Sequence, residues 1–97
     1  MKRLYVLIDS SLPKSYAACQ AGHCVAEFMR QYSHWENEVL VYLKCDNLDI
    51  WLKKLSVYQG DYAKIQWTSF QEPDLNNAVT AIAVTGADKW FKHLPLF

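Results

Sequence analysis

LYVLIDSSLPKSYAACQAGHCVAEFMRQY, residues 4 to 32, decides the fold. Leu4 to Ile8 is an apolar run of the length of a buried strand, and Asp9-Ser10-Ser11 ends it. Pro13 suits the first turn of a helix, with Ser11 or Ser15 as the capping residue. Ala17, Ala18, Ala21, Val25, Phe28, Met29 and Tyr32 then recur at helical spacing and predict one apolar face. The three alanines on it allow the helix to lie close against a sheet.

The pattern continues outward from this first strand and helix. Glu38 to Lys44 is rich in β-formers and predicts a second strand. Asp46 or Asn47 caps a second helix with core positions Leu48, Trp51, Leu52, Leu55 and Tyr58, which Gly60-Asp61 stops. Ala63 to Thr68 reads as a third strand and Ser69 to Asn77, with Pro73 and the Asn76-Asn77 pair, as a loop. Ala78 to Val84 is a fourth strand. Thr85 and Asp88 then form a capping box for a last short helix that holds Trp90 and Phe91 and ends at Pro95. The order β-α-β-α-β-β-α implies a single α/β domain over residues 1–97. Strand-helix-strand units pair in parallel through right-handed crossovers, so the expected architecture is a mixed four-stranded sheet with helices on both faces.

Composition narrows the class. Of 97 residues 52% are hydrophobic and 21% charged, as in globular proteins. Ten Lys and Arg balance ten Asp and Glu, a weak footprint for a protein that grips nucleic acid. No apolar run approaches the ~20 residues of a membrane span, and Met1-Lys2-Arg3 followed so soon by Asp9 does not read as a signal peptide. Cys19, Cys24 and Cys45 are odd in number and form no CxxC pair, which predicts three small buried hydrophobes in a reduced, cytoplasmic chain.

Open α/β sheets bind ligands beyond the carboxyl ends of their strands, which points to Asp9 to Lys14, to Ser69 to Asn77, and to Val84 onward. Tyr16, Gln20, His23, Glu27 and Gln31 share one side of the first helix at spacings of three and four. Such a stripe is ordinarily a solvated face, but this one follows directly on the Asp9 to Lys14 turn. His23, as an imidazole, can serve as a base or hold a phosphate. His34 and His93 share no pattern with it, and no ligand spacing predicts a metal site. Nucleotide-cradling glycine motifs and a serine nucleophile elbow are absent from the sequence.

Asp9, Lys14, Ala18, Gln20 and His23 follow one another as in the second type of peptidyl-tRNA hydrolase, which this chain resembles. In that family a first strand ends in Asp, a lysine-bearing turn follows, and the helix opens with Ala-Ala-Gln and a His three residues on. Thr80, within TSFQEPDLNNAVTAIAV (residues 68–84), is similar to the family threonine that opens the last strand. The ending FKHLPLF, residues 91–97, is similar to the family's close. The chain departs from the pattern at Tyr16, where the family has a catalytic lysine, and at Thr68, where it has a catalytic aspartate. It departs also at Glu72 for a threonine, Phe70 for a glycine and Leu7 for an arginine.

The resemblance implies hydrolysis of the ester between peptide and tRNA without a metal or cofactor. Its catalytic residues would be Lys14, His23, Glu72, Asp74 and Thr80. Glu72 or Asp74 with His23 would orient water, and Lys14 and the Thr80 hydroxyl would form the electrophilic side. Asp9, Tyr16, Gln20 and Phe70 would bind substrate. The expected partner is tRNA or peptidyl-tRNA, with no membrane, and a homodimer is left open. The alternative is an inactive module of the same fold that binds tRNA, a nucleotide or a protein, with Tyr16 and Phe70 as contact residues.

Overall fold

In a computed structural model that describes residues 2–33, 35–58 and 64–97, four strands form one sheet in the order β2-β1-β4-β3. Strand β1 spans Arg3–Asp9, helix α1 Lys14–Gln31, β2 Val39–Cys45, α2 Leu48–Leu55, β3 Gln66–Glu72 and β4 Ala78–Thr85. Single 3-10 turns cover Pro73–Leu75 and Asp88–Phe91. β1 and β2 pair in parallel, whereas β4 runs antiparallel to both β1 and β3. The sheet is therefore mixed, with α1 on one face and α2 on the other. No helix among the described residues is long and apolar enough to cross a membrane.

The period-two alternation of the strands builds the two apolar layers. Leu4, Val6, Ile8, Ala81 and Ala83 point to α1 and meet Ala17, Ala21, Cys24 and Phe28. Leu7, Leu43, Ile82 and Val84 point the other way, to Trp51 and Leu55 of α2 and to Phe91. Alanines on both sides of the α1 interface set its close approach. On this second face Trp51, Trp90, Phe91 and Tyr58 form a continuous group of aromatic contacts.

Several expected boundaries move, each for a local reason. Ser69 to Glu72 is strand rather than loop, because Thr68, Phe70 and Glu72 alternate toward α1 while the backbone pairs with β4. The turn itself is short and closes through Asn76 and Asn77, both in the left-handed region that asparagine tolerates. Neither Ser11 nor Ser15 caps α1, whose N-cap is Pro13. Ser11 is held instead by the Asp9 carboxylate, through its backbone N–H at 2.9 Å and its hydroxyl at 2.8 Å. Thr85 ends β4 and is buried, so no capping box forms, and the last helix is a single 3-10 turn after Ala87. Asn47, not Asp46, caps α2, which ends at Leu55 before Tyr58. The expected stop at Gly60-Asp61, the expected strand start at Ala63 and the position of His34 lie outside the described residues.

All three cysteines are free, but only Cys24 and Cys45 are buried; Cys19 is exposed, contrary to the sequence expectation. Burial pushes the Cys24 thiol up to about 12, which leaves it an unreactive core group.

Gly86 follows β4 with a φ of 86°, and a Cβ there would fall on the carbonyl oxygen of Lys64. Gly86→Ala should destabilise the chain by at least about 1–3 kcal/mol, from the backbone conformation alone. Urea denaturation of the variant measures this, and an unchanged midpoint would contradict it.

Candidate functional site

The buried stripe of α1 is rotated from the one that apolar periodicity predicts. Ala18 is exposed and Met29 is 38% exposed, while Gln20 is 1% exposed and fully inside. The polar stripe is a solvated face only in part: it borders β3, with Gln20 buried, Tyr16 and Glu27 half-buried, and His23 and Gln31 exposed. Gln20 and Tyr16 reach Glu72, His23 lies on Phe70, and Gln31 reaches Thr68.

At the carboxyl end of β1 this contact becomes a chain of hydrogen bonds. The Thr80 hydroxyl donates to Gln20 Oε1 at 2.5 Å, and Gln20 Nε2 donates to Glu72 Oε1 at 2.9 Å. The Tyr16 hydroxyl donates to the same Glu72 oxygen at 3.2 Å. Gln20 can turn its amide only one way here, because the hydroxyl needs an acceptor and the carboxylate needs a donor. His23 stacks on Phe70 with ring centroids 4.8 Å apart and planes 9° apart.

Thr80 enters this chain through a β-bulge. By strict alternation it would share the α2 face with Ile82 and Val84. The register against β3 steps from Phe70↔Ala81 to Gln71↔Val79, so Thr80 is an extra residue on β4 with no partner on β3. That extra residue reverses the parity: Thr80 turns to α1, and Val79 packs on the α2 side. Bulges commonly re-aim a side chain in this way beside functional sites.

The hydrogen bond from Gln20 is the main cause that holds the Glu72 carboxyl below its ordinary range, with Tyr16 and the charge of His23 adding to it. Glu72 is therefore a fixed carboxylate at neutral pH. Tyr16 is displaced upward, first by desolvation and then by the Glu72 charge, and stays a neutral donor.

The remaining candidates are dispersed. Asp74 is exposed on the turn after Glu72, toward which its backbone N–H points. Lys14 is exposed at the first turn of α1 and makes no hydrogen bond or ion pair among the described residues. Asp9 organises its own turn, and Ser10 beside it donates to Asp46 at 2.5 Å. Thr80 is 2% exposed and its hydroxyl proton is committed to Gln20, so it positions Gln20 instead of facing a ligand as an electrophile. Thr68 accepts from Gln31 at 2.8 Å, four residues or roughly 13 Å of strand from Glu72. An acid at position 68 would thus lie under the far end of α1. Val84 onward lies at the opposite end of the sheet, because β4 runs antiparallel to β1.

Thr80→Val keeps the shape and removes the donor, leaving a buried acceptor on Gln20. The variant should lose about 1–3 kcal/mol of stability, and thermal denaturation beside the parent chain measures it. Comparison with models of known protein families and with curated protein sequences returns no match for this chain.

Proposed function

We propose that the chain is an esterase of the peptidyl-tRNA hydrolase kind, with Glu72 as the carboxylate that orients water. The observation that carries this reading is the Thr80–Gln20–Glu72–Tyr16 hydrogen-bond chain at the carboxyl end of β1. Both side-chain donors converge on Oε1, so Oε2 keeps lone pairs for a water molecule. That water attacks the ester carbonyl, its proton passes by way of Glu72 to the ribose oxygen, and the carbon–oxygen bond to the ribose breaks. The products are a free peptide acid and a tRNA with its hydroxyl restored. Lys14, exposed at the first turn of α1, supplies positive charge to the developing oxyanion, and His23 with Phe70 forms a flat wall for the ester's substituent.

A carboxylate with a depressed pKa is a weak base, so Glu72 chiefly orients the water and only relays its proton in transit to the ribose oxygen, and it stays charged further into acid than an ordinary glutamate. The sign follows from linkage: what depends on ionised Glu72 is complete above the ordinary value of 4.5 and is lost as pH falls through the lower folded value. The acid limb of the rate profile should therefore lie below 4.5, and Gln20→Leu, which removes the main cause of the depression, should move it upward. Peptide release from a defined peptidyl-tRNA, followed against pH for both proteins, tests the reading; identical acid limbs would contradict it.

A second reading, a module that binds without cleaving, is favoured by one feature. Tyr16 stands against Glu72 where the resembled family has a lysine, so the site gains a stacking surface and loses a fixed cation. Retention of tRNA at low salt with no peptide release would support this reading.

A further inference from the structure

The end of the sheet opposite Glu72 has a different chemistry. Between the start of β1 and the segment after β4 lies a cavity of about 500 Å³, inside the roughly 300–1,000 Å³ range of small-molecule sites. Among the described residues, Lys2, Arg3, Lys64 and Lys89 line it with one acid, Asp88, and with Trp90. Asp88 lies 3.3 Å from Arg3, which offsets one of those charges and leaves three lysines. Lys54 adds a fifth cation nearby, with its Nζ 4.4 Å from the centre of the Trp90 ring. By contrast, a depression of about 200 Å³ at the other end is lined by Asp9, Asp46 and Asp49. A chain of zero net charge therefore gathers cations around this cavity and carboxylates around the other, and clustered charge of one sign concentrates ions of the opposite sign.

The backbone shapes this cavity as well. Gly86 lets the chain pass against Lys64 with no side chain between them, which brings the lysine that precedes β3 beside those at the start of β1 and after β4. Trp90 is half-buried, braced by Trp51 and Tyr58, and gives the cavity one rigid aromatic wall beside its cations. We infer that this cavity binds a nucleotide, with its phosphates among Lys2, Lys64 and Lys89 and its base against Trp90. The cavity volume accommodates one nucleotide. The inference stands whether or not the Glu72 site cleaves an ester.

Isothermal titration calorimetry with inorganic pyrophosphate, ADP and adenosine tests it on the intact chain. ADP and pyrophosphate should bind, ADP more tightly, and adenosine at least about 10-fold more weakly than ADP, because charge-assisted contacts to phosphate carry the affinity. Raising the ionic strength should weaken ADP through screening. The double variant Lys64→Ala/Lys89→Ala should weaken ADP about 10-fold or more, while Lys53→Ala, on the surface of α2, should not. Both lysines are exposed, so circular dichroism should report an unchanged fold, and Lys89→Glu gives an independent second test in the same direction. Adenosine binding as tightly as ADP would overturn the inference, as would full ADP binding by the double variant. So would the absence of heat from ADP and pyrophosphate at millimolar concentration. A 5′-phosphorylated RNA tetramer that binds more tightly than ADP would overturn the assignment to a small ligand.

Discussion

Replacing Glu72 by glutamine should lower the rate of peptide release from peptidyl-tRNA by about 10²–10³-fold while the fold is kept, a loss of the size seen when one positioned polar group is removed from an active site. Glutamine preserves the shape and can still meet Tyr16, but its amide carries no charge to hold a water and take its proton in transit. Gln20 and Tyr16 both donate to the carboxylate, so the neutral amide also weakens the two bonds that position it. Glu72 is half-buried at the end of β3, and its replacement disturbs no apolar contact of the core. Steady-state kinetics with a defined peptidyl-tRNA, beside a melting curve of the same preparation, separates catalysis from folding. A variant as fast as its parent would remove Glu72 from the reaction.

Phe28→Ala should be the most destabilising single change in the α1 layer, at about 3–5 kcal/mol. Phe28 is fully buried among Val6, Ile8, Cys24 and Tyr32, with its ring 5.0 Å from that of Tyr32. Its neighbours are held by the sheet and by small residues with no volume to spare, so the vacated space closes poorly. A domain of this size has a total stability of about 5–15 kcal/mol, and the loss would remove a large share of it. Guanidinium denaturation measures the change; a loss below about 1 kcal/mol would mean that the site collapses without a cavity. Because α1 carries Tyr16, Gln20 and His23, the variant should also loosen the Glu72 site.

The parts of the fold that were legible in the sequence are those where a single periodicity decides. Leu4 to Ile8 alternates between two apolar layers and reads as continuous, and Ala17, Ala21 and Phe28 repeat at helical spacing. The continuation of β3 to Glu72 was hidden because Ser69 and Gln71 are polar and Pro73 follows at once, the composition of a loop. Gln20, His23 and Glu72 could be named as candidates from sequence. The role of Thr80 could not, since alternation puts it on the wrong face and only the bulge at Phe70/Gln71 turns it to Gln20. The proposed choice of Glu72 over position 68 for the acid likewise depends on distance along a strand. The cationic cavity was illegible for another reason: residues 2–3, 64 and 89 are far apart in sequence and meet only because β1, β3 and β4 lie side by side.

The esterase reading and the binding reading part most sharply in a single-turnover experiment. Excess protein is mixed with an N-blocked aminoacyl-tRNA at neutral pH in the presence of a chelator, and free blocked amino acid is counted against time. Exponential release that saturates with protein concentration is expected, slowed about 10²–10³-fold in Glu72→Gln. Release no faster than in buffer alone, at any protein concentration, would contradict it.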